Sequence, residues 1–76
     1  MRNICEKFGD NVRKFRSKMK LSQEELAGRC ELHRTYISAV ERGLRSVSLK
    51  NIEILARELK IEIYQLFIFE EEKNDE

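Results

Sequence analysis

The sequence predicts an all-α protein, a compact five-helix bundle that contains a helix-turn-helix. Apolar residues recur three and four positions apart along most of the 76-residue chain, which is the period of a helix. The chain contains no proline and only three glycines, and this composition favours helices over a turn-rich β fold. Two of the predicted helices are short and separated by only three residues, as in a helix-turn-helix.

The first predicted helix spans residues 3–18. Its apolar residues step by four or three and form a single stripe, which consists of Ile4, Phe8, Val12, Phe15 and Met19. We expect this stripe to pack against the core of the domain.

The second predicted helix begins at Ser22 and ends near Cys30. Ser22 and Glu25 have the spacing of a capping box, in which each side chain accepts a hydrogen bond from the backbone amide of the other residue. Leu21 and Leu26 are placed to contact each other across this helix start as a hydrophobic staple. Hydrogen bonding and packing therefore indicate the same helix start.

Three more helices are expected beyond the break at residues 31–33. The third spans about residues 34–42, and Gly43 is placed to end it in the left-handed conformation. Ser48 is placed to cap a fourth helix. The fourth helix carries core residues at helical spacing: Leu49, Ile52, Leu55, Ala56 and Leu59. The last helix is short, spans roughly residues 62–69 and directs three residues toward the core: Ile63, Leu66 and Phe67.

Composition argues against several other classes of protein. Cys5 and Cys30 do not have the spacing of a disulfide framework, so we expect reduced thiols. No segment has the pattern of a signal peptide, and no apolar run reaches the roughly 18 residues of a membrane span, so we expect a cytoplasmic protein with no membrane partner. The single histidine, without a spaced ligand cluster or a glycine-rich phosphate loop, argues against an enzyme, a metal site, any other cofactor and a small-molecule ligand.

The charge is distributed unevenly along the chain. Residues 1–50 contain 12 Lys and Arg against 6 Asp and Glu, a balance of +6, and residues 51–76 contain 3 against 8, a balance of −5; together these give the net charge of +1. A basic front half predicts contact with a polyanion. We assign residues 1–69 to one helix-turn-helix domain that contacts this polyanion, and residues 70–76 to an acidic tail that is expected to be frayed.

The third helix has one apolar face and one polar face. With about 100° of rotation per residue, Ile37 and Val40 lie on the buried side. The residues that point away from it, or lie on its flanks, are Arg34, Thr35, Tyr36, Ser38, Ala39 and Arg42. Small residues let a helix approach the bases of the major groove, whereas arginine can bind guanine O6 and N7 and threonine can contact a base or a thymine methyl. The polar face therefore favours DNA contact over simple solvation.

The segment QEELAGRCELHRTYISAVERG, followed by SLKNIEILARELKIEIYQLF, resembles the Cro/CI-type (XRE-like) helix-turn-helix family, whose fold is lambda-repressor-like. Within that family, RTYIS and the apolar C-terminal helix are similar to the controller proteins of restriction–modification systems. The resemblance implies a sequence-specific transcription regulator that acts as a homodimer on a pseudo-palindromic operator in double-stranded DNA and controls restriction–modification genes, including its own. The alternative is an antitoxin or phage-type repressor of the same fold that binds a protein partner as well as DNA.

The resemblance also implies roles for individual residues. The positions that face bases in the family are occupied here by Arg34, Thr35, Tyr36, Ser38 and Ala39. The positions that approach the DNA backbone are occupied by Gln23, His33, Arg42, Arg45, Ser46 and Asn51. Glu41 matches a carboxylate that pairs with an arginine of the first helix, here Arg16, and we expect this partly buried ion pair to brace the third helix.

The chain departs from the family pattern at four positions. Glu31 replaces the turn glycine and His33 replaces the usual Ser or Asp cap of the third helix; Lys60 and Glu62 replace the glycine and the cap before the last helix. A left-handed conformation at Glu31 would cost roughly 1 kcal/mol relative to glycine, so we expect a slightly remodelled turn. His33 is expected to cap the helix with its ring near a DNA phosphate.

The C-terminal sequence IEIYQLFIF has more apolar residues than one helix face can bury. Exposed apolar clusters mark interfaces, and a symmetric homodimer is a common outcome. The expected interface consists of Tyr64, Phe67, Ile68 and Phe69. The alternative is that these residues fold back onto the first helix.

Overall fold

The computed structural model describes residues 2–70, and over this range the chain is helical, with no β-strand. The elements are α1 (Ile4–Lys18), α2 (Gln23–Cys30), α3 (Arg34–Glu41), α4 (Leu49–Leu59) and a 3-10 helix (Ile63–Phe67). The predicted all-α class and the helix-turn-helix formed by α2 and α3 are confirmed. The fraying expected of the acidic tail concerns residues that, apart from Glu70, lie outside the described range.

The hydrophobic core draws on every helical element. Its fully buried apolar side chains include Val12 from α1, Leu26 from α2, Ile37 from α3, Leu55 from α4 and Leu66 from the 3-10 helix. Burying an aliphatic side chain of this kind stabilises the fold by roughly 1.5–3 kcal/mol. Because α3 contributes to this core, its other face is held in a fixed orientation.

The start of α2 is confirmed in detail. The Ser22 hydroxyl accepts from the amide of Glu25 at 3.0 Å, and the Glu25 carboxylate accepts from the amide of Ser22 at 2.8 Å. Leu21 and Leu26, the expected staple, are both buried in the core. A sequence pattern confined to six residues thus defines one end of the helix-turn-helix.

Glu31 ends α2 in the left-handed conformation, with φ 58° and ψ 41°. The expectation of a remodelled turn is therefore wrong, because the chain accepts the strained conformation at a non-glycine residue. The amide of Leu32 donates to the carbonyl of Ala27 at 2.9 Å, and this bond closes the helix end. Lys60 adopts the same conformation, with φ 60°, at the end of α4, where the amide of Ile61 donates to the carbonyl of Ala56 at 3.0 Å.

Gly9 allows α1 to approach the end of α3 very closely. A β-carbon at this position would lie 2.2 Å from the carbonyl oxygen of Val40 and 2.8 Å from that of Glu41. Gly43, as predicted, follows α3 with a positive φ of 77°. Its missing side chain leaves room for Glu6 of α1, whose α-carbon would lie 2.7 Å from a β-carbon there. The two glycines therefore let α1 lie directly against the end of α3.

The predicted fifth α-helix is wrong in type. The chain forms five residues of 3-10 helix and is extended by Ile68, which has φ −86° and ψ 108°. Two β-branched residues of the predicted helix, Ile63 and Ile68, disfavour a longer α-helix. The side chain of Asn11 also takes the carbonyls of Leu66 and Ile68 as acceptors, at 2.8 and 3.1 Å, and so holds the chain in its extended path.

Three residues that were expected in the core lie at the surface instead. Ile4 is 60% exposed, Leu49 is 85% exposed and Ile63 is 46% exposed. Each occupies the first position of its helical element, where the element extends beyond the neighbour that would cover it. Phe67, also expected to face the core, packs against Phe8 but is exposed along one side.

Candidate DNA-binding surface

The two faces of α3 are separated as the sequence predicts. Ile37 and Val40 are buried, whereas Arg34 and Thr35 are exposed in the first turn. Ser38 and Ala39 are partly exposed, and Arg42 is exposed immediately after the helix. The surface thus has small side chains at its centre and a guanidinium at each end, so that it can approach base edges closely and meet phosphates at its ends.

A shallow groove of about 460 Å³ runs along this surface between α3 and the start of α4. It brings together six residues for which DNA contacts were predicted: His33, Thr35, Tyr36, Ala39, Arg45 and Asn51. Glu31 and Leu32, for which no DNA contact was predicted, complete its wall. The other predicted contacts do not line the groove: Gln23, Arg34, Ser38, Arg42 and Ser46.

Tyr36 is held in place from two sides. The side-chain amide of Asn51 donates to the Tyr36 hydroxyl at 3.0 Å, and the guanidinium of Arg45 lies 5.3 Å from the centre of the ring. Asn51 is fixed in turn, because its backbone amide donates to the Ser48 hydroxyl that caps α4. Since the phenol oxygen accepts from Asn51, its own proton is available to an acceptor on DNA.

His33 occupies the position before α3 with extended backbone angles, as expected of a cap. Its side chain, however, makes no capping hydrogen bond, so the capping role predicted for it is met by the backbone alone. The carbonyl of His33 accepts from the amides of Tyr36 and Ile37 at 3.0 and 3.1 Å. The imidazole is exposed and can turn toward a phosphate.

The ion pair expected between Arg16 and Glu41 is present and bidentate. The Nε and Nη2 atoms of Arg16 donate to the two carboxylate oxygens at 2.6 and 2.9 Å, and Nη1 donates to the carbonyl of Leu21 at 2.8 Å. The Glu41 side chain is completely buried. One guanidinium therefore joins α1, the turn before α2 and the recognition helix α3.

Gln23 has a second role that the sequence did not indicate. Its Nε2 atom donates to Glu41 at 3.0 Å, which fixes the side chain at the start of α2. Nε2 carries a second proton, so this bond is compatible with a hydrogen bond to a phosphate. No pattern within α2 could show the contact, since its partner lies 18 positions away.

The contacts among Arg16, Gln23 and Glu41 shift the pKa values of the two charged side chains. Burial raises the pKa of Glu41, but hydrogen bonds from Arg16 and Gln23 outweigh burial and hold the pKa below the ordinary value for glutamate. The hydrogen bond with Glu41 also raises the pKa of Arg16. Arg13, whose Nε lies 3.6 Å from the carboxylate, is exposed to solvent over half of its side chain. Glu41 is thus a buried carboxylate held in its charged form.

Two of the residues expected to form a dimer interface, Tyr64 and Phe67, belong to the 3-10 helix, and the other two, Ile68 and Phe69, follow it. We call residues 63–69 the C-terminal segment. Tyr64 and Ile68 are 64% and 57% exposed. Phe67 and Phe69 fold back instead, since the Phe67 ring lies 5.3 Å from that of Phe8 and 6.3 Å from that of Phe69. Two of the four residues expected in the interface therefore fold back toward α1, as in the alternative, and two remain exposed.

Asn11 has a role in this region that was not predicted from the sequence. It is buried in the middle of α1 and uses its amide group to hold the carbonyls of the C-terminal segment, 55 and 57 positions away. An asparagine directly before Val12 of the apolar stripe was the signal that could have identified it.

Among the described residues, no helix has the length and hydropathy needed to cross a membrane.

Comparison with known proteins agrees with this geometry. The Helix-turn-helix family model matches residues 12–66. Control protein C.BamHI of Bacillus amyloliquefaciens is 52% identical over 68 residues, which cover 88% of this chain and 84% of that protein. The crystal structure of the restriction-modification controller protein C.AhdI from Aeromonas hydrophila has a TM-score of 0.81 and 49% identity, over 83% of this chain and 96% of that one. The controller protein C.Esp1396I, solved as a tetramer in complex with its natural 35 base-pair operator, has a TM-score of 0.78 and 30% identity over 88% of both chains.

Proposed function

The chain belongs to the helix-turn-helix family and, within it, to the controller proteins of restriction–modification systems. From this premise we propose that it binds a pseudo-palindromic operator as a homodimer and thereby regulates restriction–modification genes, including its own. One observation carries the proposal: α3 presents small and basic side chains to solvent while a buried ion pair fixes its opposite side. A rigid helix with such a face fits the major groove.

Base recognition is assigned to one side of α3. We propose that Arg34 binds a guanine bidentately and that Thr35 contacts a neighbouring base. Ser38 and Ala39 let the helix approach the base edges, and the hydroxyl proton of Tyr36 supplies a further donor. The exposure of Arg34 and Thr35 and the bond between Asn51 and Tyr36 support these roles.

Backbone contacts are assigned to residues that surround α3. Gln23 would donate its second amide proton to a phosphate. The exposed side chains of His33, Arg42, Arg45 and Ser46 would contact the sugar–phosphate backbone on either side of the DNA major groove. Asn51, whose side-chain amide uses one proton toward Tyr36, would donate its second proton to a phosphate or act through Tyr36. These contacts set the register of the helix and are expected to make binding sensitive to salt.

Homodimerisation through the C-terminal segment would place two copies of α3 about 34 Å apart, one turn of DNA, on the two halves of the operator. The exposed apolar side chains of Tyr64 and Ile68 support this interface. We expect the protein to act in the cytoplasm, without a cofactor and without catalytic activity.

Binding to operator variants tests the base-reading assignment. Arg34→Ala should weaken binding by about 1–3 kcal/mol and relax preference at one base pair of each half-site. Arg29→Ala is a matched control, since Arg29 is an exposed arginine of the helix-turn-helix that belongs neither to α3 nor to its groove. Uniform weakening by Arg34→Ala over all sequences would make Arg34 a phosphate contact. Equal affinity of the wild-type protein for the operator and for random duplex would refute the proposed function.

Sedimentation equilibrium tests the dimer. Tyr64→Asp places a charge on a residue that is 64% exposed, so the monomer should keep its fold. We expect this variant to be monomeric at concentrations where the wild-type protein is dimeric. Lys60→Asp changes an exposed residue just outside the C-terminal segment and serves as the control. A dimer that Tyr64→Asp leaves intact would contradict the assigned interface.

A further inference from the structure

An apolar groove of about 200 Å³ lies between the start of α1, the loop before α4 and the C-terminal segment. Its walls include Ile4, Cys5, Phe8, Ile52 and Phe67. Phe8 and Ile52 belong to the core, whereas Ile4 is 60% exposed and Phe67 is 39% exposed. The groove is therefore an opening in the surface through which part of the core is accessible.

Neither DNA nor the acidic tail suits the groove. Phosphates and base edges require polar partners, which only Arg45 and Ser46 of the loop before α4 supply here. The other six residues that line the groove are apolar. Residues 71–76, which follow the described part of the chain, have the sequence EEKNDE and offer no apolar side chain. An occupant must bring apolar side chains of its own.

The size of a stable interface indicates where those side chains come from. A stable protein interface buries roughly 800 Å² of each partner, about one seventh of the 5617 Å² surface of this chain. A large apolar side chain carries roughly 150–250 Å² in all, so the exposed fractions of Ile63, Tyr64, Phe67, Ile68 and Phe69 supply on the order of 400–500 Å². The C-terminal segment alone is too small, and Phe67 connects it directly to the groove.

We propose that a second copy of this chain covers the groove, so that the dimer interface extends from Tyr64 and Ile68 across Phe67 to Ile4 and Cys5. This inference rests on the proposed homodimer and adds the start of α1 to its interface. Ile4, left exposed at the first position of α1, then has a partner surface. Cys5, which is half-buried in the isolated chain, becomes inaccessible in the dimer.

A charge at Ile4 tests the interface by its effect on association. Ile4→Glu should be tolerated in the monomer, because the side chain is exposed and a carboxylate is favourable at a helix start. It should raise the dissociation constant of the dimer at least about tenfold, because the carboxylate would be buried in the interface without a partner. Leu44→Glu adds the same charge at a leucine that is 63% exposed and does not line the groove, and should leave the constant within about threefold of the wild-type value.

The two cysteines give a second readout on the unaltered protein. Burial raises the pKa of Cys30 to about 11, so this thiol should react slowly at every protein concentration and serve as an internal reference. Alkylation of Cys5 by iodoacetamide, followed by mass spectrometry of the peptides, should slow in proportion to the fraction of dimer as the protein is concentrated. In Tyr64→Asp the Cys5 rate should not depend on concentration.

The outcomes separate this inference from the proposed function. A wild-type chain that is monomeric at all concentrations would refute the homodimer and, with it, the covered groove. A dimer in which Cys5 reacts as fast as in the monomer would overturn the groove alone. Equal weakening by Ile4→Glu and Leu44→Glu would have the same meaning, because the effect would then be one of net charge.

Discussion

Two arginines of α1 approach the same buried carboxylate, and we expect them to contribute very unequally to stability. Arg16 makes two hydrogen bonds to Glu41, at 2.6 and 2.9 Å, and its side chain is 15% exposed. Arg13 lies 3.6 Å away with its side chain 53% exposed. Replacing each in turn by glutamine therefore compares a buried bidentate pair with a solvated one on a single acceptor.

The expected magnitudes follow from what each change leaves behind. Arg16→Gln leaves the Glu41 carboxylate buried with only Gln23 as a close donor, and removing one partner of a buried ion pair costs about 3–5 kcal/mol. Arg13→Gln removes a solvated pair that contributes less than about 1 kcal/mol. A domain of 76 residues has a total stability of roughly 4–11 kcal/mol, so the first change should remove about a quarter of it or more.

Urea unfolding followed by circular dichroism at 222 nm measures both losses on one scale. The melting temperature gives a second measure, since each kcal/mol corresponds to about 4–8 °C in a domain of this size. We therefore expect Arg16→Gln to melt at least about 12 °C below the wild-type protein and Arg13→Gln within about 8 °C of it. Equal losses for the two variants would refute the reasoning, because the contact would then act through net charge and not through its buried geometry.

Three further predictions concern the fold that supports the recognition helix. Stability should be fully present above the unfolded-state glutamate pKa of about 4.3 and fall as the pH decreases through the lower folded pKa of Glu41; acid titration of Glu41→Gln should lack this component. Gly28→Ala should stabilise the protein by about 0.5–1 kcal/mol, because nothing lies within 4 Å of the added methyl group. Gly9→Ala should destabilise the protein by about 1–3 kcal/mol, because the methyl group would collide with the Val40 carbonyl. The midpoints of urea unfolding check the sign of both changes. Asn11→Ala should cost about 1–3 kcal/mol, since it leaves the buried carbonyl of Leu66 and the partly buried carbonyl of Ile68 without this donor. Amide exchange should then show earlier opening of the C-terminal segment, and unchanged exchange there would contradict the role of Asn11.

The sequence by itself determined the elements that depend on neighbouring residues. The start of α2 follows from Ser22 and Glu25, three positions apart, and the outward face of α3 follows from Ile37 and Val40 through the period of the helix. Capping and amphipathic periodicity act over at most about four residues, so a linear pattern contains them. The ion pair of Arg16 and Glu41 became predictable only through the resemblance to a family.

Only the tertiary structure decided the contacts between residues that are distant in the chain. Periodicity shows which side of a helix is apolar, but not where the neighbouring element ends, so the exposure of Ile4 and Leu49 at their helix starts could not be foreseen. The 3-10 helix and the path of the chain after it depend on Asn11, more than fifty positions earlier, and Gln23 is fixed by a carboxylate of another helix. These features depend on packing and hydrogen bonding across the fold, and no short segment of the sequence contains both partners.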